Sequence, residues 1–106
     1  MQLKITQTAA DAVVEVQSLR LDASAAPQFK TEMLELVNNG AKHIVLDLSV
    51  VKLVDSSGLG SLVSILKALG GQGSIVIRGA SPSVLGLFKL TRMDRVFTIE
   101  PMVPPA

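Results

Sequence analysis

Polar and apolar residues alternate from the start of the chain, with Leu3 and Ile5 set against Lys4, Thr6 and Gln7. A period of two predicts a half-buried first strand. A turn at Thr8-Ala9-Ala10-Asp11 and a second alternating run, Val13 to Gln17, complete a hairpin at one side of a sheet. The period then changes. After a polar connection, Arg20-Leu21-Asp22-Ala23-Ser24, the residues Ala26, Phe29, Met33, Leu36 and Val37 recur at helical spacing. Ser24 is placed to cap that helix, Pro27 falls in its first turn, and Gly40 is available for a left-handed stop. Ile44-Val45-Leu46-Asp47-Leu48 is almost continuously apolar, as expected of a central strand covered on both faces. A second apolar patch, Val50 to Val54, runs into Asp55-Ser56-Ser57-Gly58-Leu59-Gly60. Leu59, Leu62, Val63, Leu66 and Leu69 then mark one face of a second helix, stopped by Gly70-Gly71-Gln72-Gly73. Ile75-Val76-Ile77 reads as a buried strand, and Ser81-Pro82 as a helix start followed by apolar Val84, Leu85, Leu87 and Phe88. Val96 to Ile99 is the last predicted strand.

The predicted order, β-β-α-β-α-β-α-β, is that of an α/β domain with a mixed, mostly parallel sheet. It occupies residues 1–100, with a Pro-rich C-terminal tail at 101–106. A length of 106 residues fits one domain, and 48% hydrophobic against 18% charged residues is enough to build one core. That core is aliphatic, with three Phe and neither Trp nor Tyr. The net charge of +1 is spread along the chain without a basic run, so neither phosphate-backbone tracking nor base stacking is favoured, and nucleic acid is not an expected partner. Without cysteine there is no disulfide or thiolate metal site, and a single histidine builds no His-rich one, so no cofactor is expected. The N-terminus lacks the apolar stretch of a signal peptide, and Leu59 to Leu69 is far too short to span a membrane, so the expectation is a cytoplasmic domain without membrane insertion.

The chemistry-bearing residues concentrate at Asp55-Ser56-Ser57-Gly58-Leu59-Gly60, on a strand-to-helix junction. Gly58 and Gly60 flank Leu59, so the Gly-x-Ser-x-Gly elbow of hydrolases is missing its serine. A Ser/His/Asp site would need His43, which opens the central strand at the end opposite Asp55, roughly 15–20 Å away for a parallel strand of this length. Gly58-Leu59-Gly60 lacks the third glycine of a dinucleotide fingerprint, and no Gly-Lys-Ser/Thr follows it. A hydroxyl at a helix N-terminus remains. A phosphate on Ser56 would meet unpaired N–H groups and the positive end of the helix dipole, worth about 0.3–1 kcal/mol if exposed and up to about 2 if partly buried. It would add nearly two negative charges beside Asp55, and near Asp22 if the loops converge. The fold tolerates such a group; a surface fitted to a neutral hydroxyl does not. The same residues also read as an ordinary capping sequence, with Ser57 the better-placed cap and Ser56 left to face outward. Gly58 and Gly60 are then expected to let the chain turn and the helix start in close packing, with Leu59 anchoring it.

The run Ile44-Val45-Leu46-Asp47-Leu48-Ser49, a short spacer, and Val54-Asp55-Ser56-Ser57-Gly58-Leu59-Gly60 resemble the signature of STAS domains, and within them bacterial anti-sigma factor antagonists. The resemblance implies a non-enzymatic partner-switching protein. Ser56, directly after the motif aspartate, is then the residue phosphorylated by an anti-sigma factor that is itself a Ser/Thr kinase. The unmodified form binds that kinase, the phosphorylated form is released, and a PP2C-type phosphatase reverses the modification. Asp22, Asp55 and Ser57 match positions around the phosphosite. The alternative within the family is a STAS subunit docking on the ATPase of a membrane transport complex, where Thr followed by Ala is common at this place. One departure is Thr91-Arg92-Met93 after the third helix, where the family commonly has Gly. A left-handed turn at Arg92 would be costly.

Overall fold

The computed structural model describes residues 2–100. Its first two strands, β1 (Leu3–Thr8) and β2 (Asp11–Val16), pair antiparallel from Leu3↔Val16 to Thr8↔Asp11, around the two-residue turn at Ala9-Ala10. Such a turn favours positive φ, and Ala9 adopts it at 53°. From β2 onward every neighbour in the large sheet is parallel: β4 (His43–Asp47), β6 (Ser74–Arg78) and β7 (Thr98–Ile99) follow in the order β1-β2-β4-β6-β7. The helices α1 (Ala26–Asn38), α2 (Ser56–Leu69) and α3 (Pro82–Leu90) make the connections.

A sheet that grows in one direction through right-handed crossovers puts every connecting helix on the same face. The core follows this rule. Val14, Leu46 and Ile77 share one row across the sheet, and Ala12, Ile44 and Ile75 the next. All are buried against Phe29 and Met33 of α1, Leu62 and Ile65 of α2, and Val84 and Phe88 of α3. The opposite face carries the row Thr6, Val13, Val45, Val76 and Thr98, which is exposed or half-buried. Beside it run Lys4, Glu15, Asp47 and Arg78, with ion pairs Lys4–Glu15 at 3.9 Å and Arg78–Glu100 at 3.5 Å. The central strand is therefore covered on one face only, against the expectation of two. Its apolar continuity misled because β-branched valines suit a half-exposed pleated surface. The edge strand β1 is also more exposed than expected: only Leu3 is half-buried, and Ile5 remains 39% accessible.

Two short strands were hidden in the sequence pattern. β3 (Arg20–Leu21) and β5 (Leu53–Val54) pair in parallel as a separate two-stranded sheet, Arg20↔Leu53 and Leu21↔Val54. The segment expected to be only a polar connection is thus fixed next to the start of α2. The last strand is shorter than its four predicted residues. A single 3-10 turn, Met93–Arg95, precedes it and holds Val96 and Phe97 out of strand geometry.

The expected stops at Gly40 and Gly70 take positive φ of 100° and 62°. Ser81 caps α3, its hydroxyl accepting from Val84 N–H at 3.3 Å. Arg92 does adopt the left-handed conformation that glycine would hold more cheaply, at φ 60°. Ser24 does not cap α1. The N-cap is Ala25, without a side-chain bond, and Asp22 replaces it: Oδ1 accepts from Ser24 N–H (3.1 Å), Ser24 Oγ–H (2.6 Å) and Ala25 N–H (3.3 Å). The serine hydroxyl is used as a donor to a stronger acceptor. The predicted tail at 101–106 lies outside the described residues.

Candidate functional site

The junction of β5 and α2 is built on Asp55. As N-cap, its Oδ1 accepts from Ser57 N–H at 2.9 Å and Gly58 N–H at 3.0 Å, satisfying two of the helix's unpaired donors. Its Oδ2 reaches across the chain to Ala23 N–H at 3.1 Å. One carboxylate thus holds the α2 start and the β3–α1 loop together. The expectation that Ser57 caps is corrected: Ser57 lies inside the first turn, and its hydroxyl makes no hydrogen bond among the described residues. Asp55 wins because an ionised carboxylate accepts at both oxygens and bridges two segments, which a hydroxyl cannot.

Gly58 is where the helix meets β3. A Cβ built there would stand 2.2 Å from the Leu21 carbonyl oxygen, inside any real contact. That same carbonyl accepts the Asp55 N–H at 3.3 Å. Leu59 is buried in the core, as expected. Gly60 is different. It is exposed, nothing would meet a Cβ within 4 Å, and neither glycine has positive φ. Close packing therefore explains Gly58 alone, and a chain reversal explains neither.

Ser56 is the first residue of α2, exposed, and its hydroxyl makes no hydrogen bond among the described residues. Ser57 is exposed as well, so accessibility alone does not separate the two. Asp22 is brought to the site as the loops converge: the Asp55 carboxylate binds the amide of the very next residue, Ala23. The Asp22 carboxyl titrates below its ordinary range, chiefly because Ser24 Oγ–H donates to it. The amides of Ser24 and Ala25 and the charge of Arg20 act in the same sense, against a desolvation that raises it. A lowered folded-state value means that the ionised form stabilises the fold. That contribution is complete above the ordinary carboxylate range near about pH 4 and is lost as pH falls through the lowered value. Asp22→Asn should therefore be less stable than the parent at neutral pH, with the gap closing below about pH 4 in urea titrations at stepped pH.

His43 stays outside the site. It is exposed at the start of β4, with Nδ1 3.3 Å from Ser74 Oγ. Sequence reasoning missed the Leu21 carbonyl and the Ala23 amide. Both are backbone groups, and only their pairing through β3 and β5 brings them here.

A family model described as "Mlab, STAS domain" matches residues 3–104. The chain belongs to the STAS-domain family. This STAS domain is 32% identical over 93 residues to the anti-sigma-B factor antagonist of Staphylococcus aureus (strain NCTC 8325 / PS 47), a match covering 86% of each chain. Among solved structures it is similar to an anti-sigma factor antagonist from Mycobacterium paratuberculosis, at 26% identity and TM-score 0.81, over 96% of this chain and 86% of the other. The antagonist SpoIIAA, at 16% identity, shares the fold. Its unphosphorylated form matches with TM-score 0.74 over 96% of this chain and 90% of the other. The phosphorylated form of the Bacillus protein matches at 0.71 over 94% and 92%. No helix among the described residues is long and apolar enough to cross a membrane.

Proposed function

We propose that this STAS domain is an anti-sigma factor antagonist controlled by phosphorylation of Ser56. The observation that carries the reading is an exposed, unbonded serine hydroxyl at the first position of α2, beside an aspartate whose two oxygens are already committed. The unmodified chain binds an anti-sigma factor that is a Ser/Thr kinase. The Ser56 hydroxyl attacks the γ-phosphorus of ATP held by that kinase, ADP leaves, and the hydroxyl proton passes to a base on the kinase. The new phosphate sits at the positive end of the helix dipole, where the fold tolerates it, while the docking surface gains nearly two negative charges. A PP2C-type phosphatase removes the phosphate by hydrolysis. The chain supplies a surface and an acceptor hydroxyl and has no catalytic role. Relatives named as antagonists support this reading, and a fold seen in phosphorylated and unphosphorylated forms is compatible with both states.

Incubation with an anti-sigma factor kinase and ATP should add one phosphate, read by intact mass and peptide mapping. Ser56→Ala should abolish it and Ser57→Ala should keep it. Phosphate retained in Ser56→Ala, or mapped to Ser57, would sink the assignment.

A further inference from the structure

Among the described residues, four of the six large apolar side chains left exposed lie in or close to the segments around β5 and α3: Leu19 at 58%, Val50 at 44%, Leu53 at 48% and Leu90 at 83% accessible. Three of them can be placed side by side. Leu19 O accepts the N–H groups of Lys52 and Leu53, at 2.8 and 3.2 Å, so Leu19 lies against the start of β5. Leu53 and Leu90 line one groove of about 290 Å³ between β5 and α3, floored by Val54, Val84 and Leu87. The alternation in β5 matters here. Val54 points into the core, so Leu53 points outward, at a position where a soluble strand ordinarily carries a polar residue. A leucine there, next to a helix-end leucine that is almost wholly exposed, marks a surface that another molecule covers.

The charges around the groove select the occupant. Lys52 is on its wall and Arg92 follows Leu90 by two residues, both exposed, and no acidic side chain lines it among the described residues. Val54, which lines the groove, ends β5, and the next two residues along the chain are Asp55 and Ser56.

We propose that the β5–α3 groove is the seat of an amphipathic helix of the anti-sigma factor kinase, apolar on the face that covers Leu53 and Leu90 and acidic on its flank. The inference rests on the reading of Ser56 as the switch and adds to it where the partner sits and what chemistry it presents. A helix laid in a groove meets it through apolar residues spaced three and four apart, while the acidic flank faces Lys52 and Arg92. It also gives the phosphate something to repel. Ser56 is two residues from Val54 of the groove, so a dianion there faces like charge on an acidic helix seated in the groove as well as its own neighbour Asp55.

The test uses the full chain, the purified anti-sigma factor kinase and four variants measured side by side by calorimetric titration and thermal melting. The double variant Leu53→Gln/Leu90→Gln alters exposed side chains only and should melt like the parent, yet bind the kinase at least about tenfold more weakly. Lys52→Glu/Arg92→Glu should also weaken binding, and its affinity should respond less to ionic strength than the parent's. Ser56→Asp serves as the separate control on the switch, and Thr6→Ala, exposed on the open face of the sheet, as the silent one. Parent-like affinity in both groove variants overturns the groove while a weakened Ser56→Asp leaves the switch standing. Parent-like affinity in Ser56→Asp overturns the switch, and an unmodified chain that binds no such kinase overturns both. Two further results would also overturn the groove proposal. One is flotation of the parent on phosphatidylglycerol vesicles that is lost in Leu53→Gln/Leu90→Gln, with kinase binding unchanged. The other is a self-associated parent that becomes monomeric in that variant, again with kinase binding unchanged.

Discussion

Gly58→Ala is expected to destabilise the fold by about 2 kcal/mol, although alanine is the better helix former. The two effects oppose each other and their sizes decide. Replacing an interior helical glycine with alanine gains about 1 kcal/mol. Forcing a methyl group into a filled site costs about 1–3 kcal/mol, occasionally more. Here the atom in the way is the Leu21 carbonyl oxygen at 2.2 Å, which belongs to a paired strand and cannot rotate aside. The cost therefore belongs at or above the top of its range, and it outweighs the gain. Gly60→Ala, two residues along the same helix, meets nothing within 4 Å and should stabilise by about 0.5–1 kcal/mol. Thermal melts separate the pair, since about 1 kcal/mol shifts the midpoint of a domain this size by roughly 4–8 °C. Two shifts of the same sign would mean that β3 and α2 do not touch as described.

The second large effect is on binding. Ser56→Asp should weaken association with the kinase by about a hundredfold or more, because like charges brought together across an interface cost several kcal/mol. Its effect on stability should be small. A carboxylate in the first turn of α2 gains about 0.3–1 kcal/mol from the dipole and loses part of that to Asp55 nearby. Ser56→Ala should bind like the parent, which isolates charge from the mere loss of a hydroxyl. Affinity by titration calorimetry, set against midpoint by melting, gives the contrast. A Ser56→Asp protein that lost affinity and stability together would point to a damaged fold and would not support a switch.

Much of this architecture is legible in the residues because its larger elements obey one period each. The hairpin, the three helices and the strands β4 and β6 follow from alternation, helical spacing and the glycine stops. What escaped has a common cause. β3 and β5 are two residues long, so Leu21 and Val54 show one inward position apiece and no repeat from which to read a period. Without β3, nothing in the order of residues shows that the Ala23 amide lies beside Asp55, and a serine then looks as good a cap as the aspartate. The open face of the sheet was misread for a different reason. Val13, Val45 and Val76 are apolar on a surface that none of the described helices covers, and composition cannot tell a half-exposed valine from a buried one. At the candidate site the residue types singled out the β5–α2 junction, while the hydrogen-bonding roles of Asp55, Ser56 and Ser57 needed the backbone contacts.

Those contacts leave the site very little slack. Asp55 ties the helix start to the Ala23 amide, and Gly58 rests against the Leu21 carbonyl, so the segment under Ser56 is clamped from two sides. A phosphate added to such a seat acts as a label and has no lever to pull. Whatever mechanical response follows has to come from the molecule that reads the label, and this STAS domain itself needs no second shape.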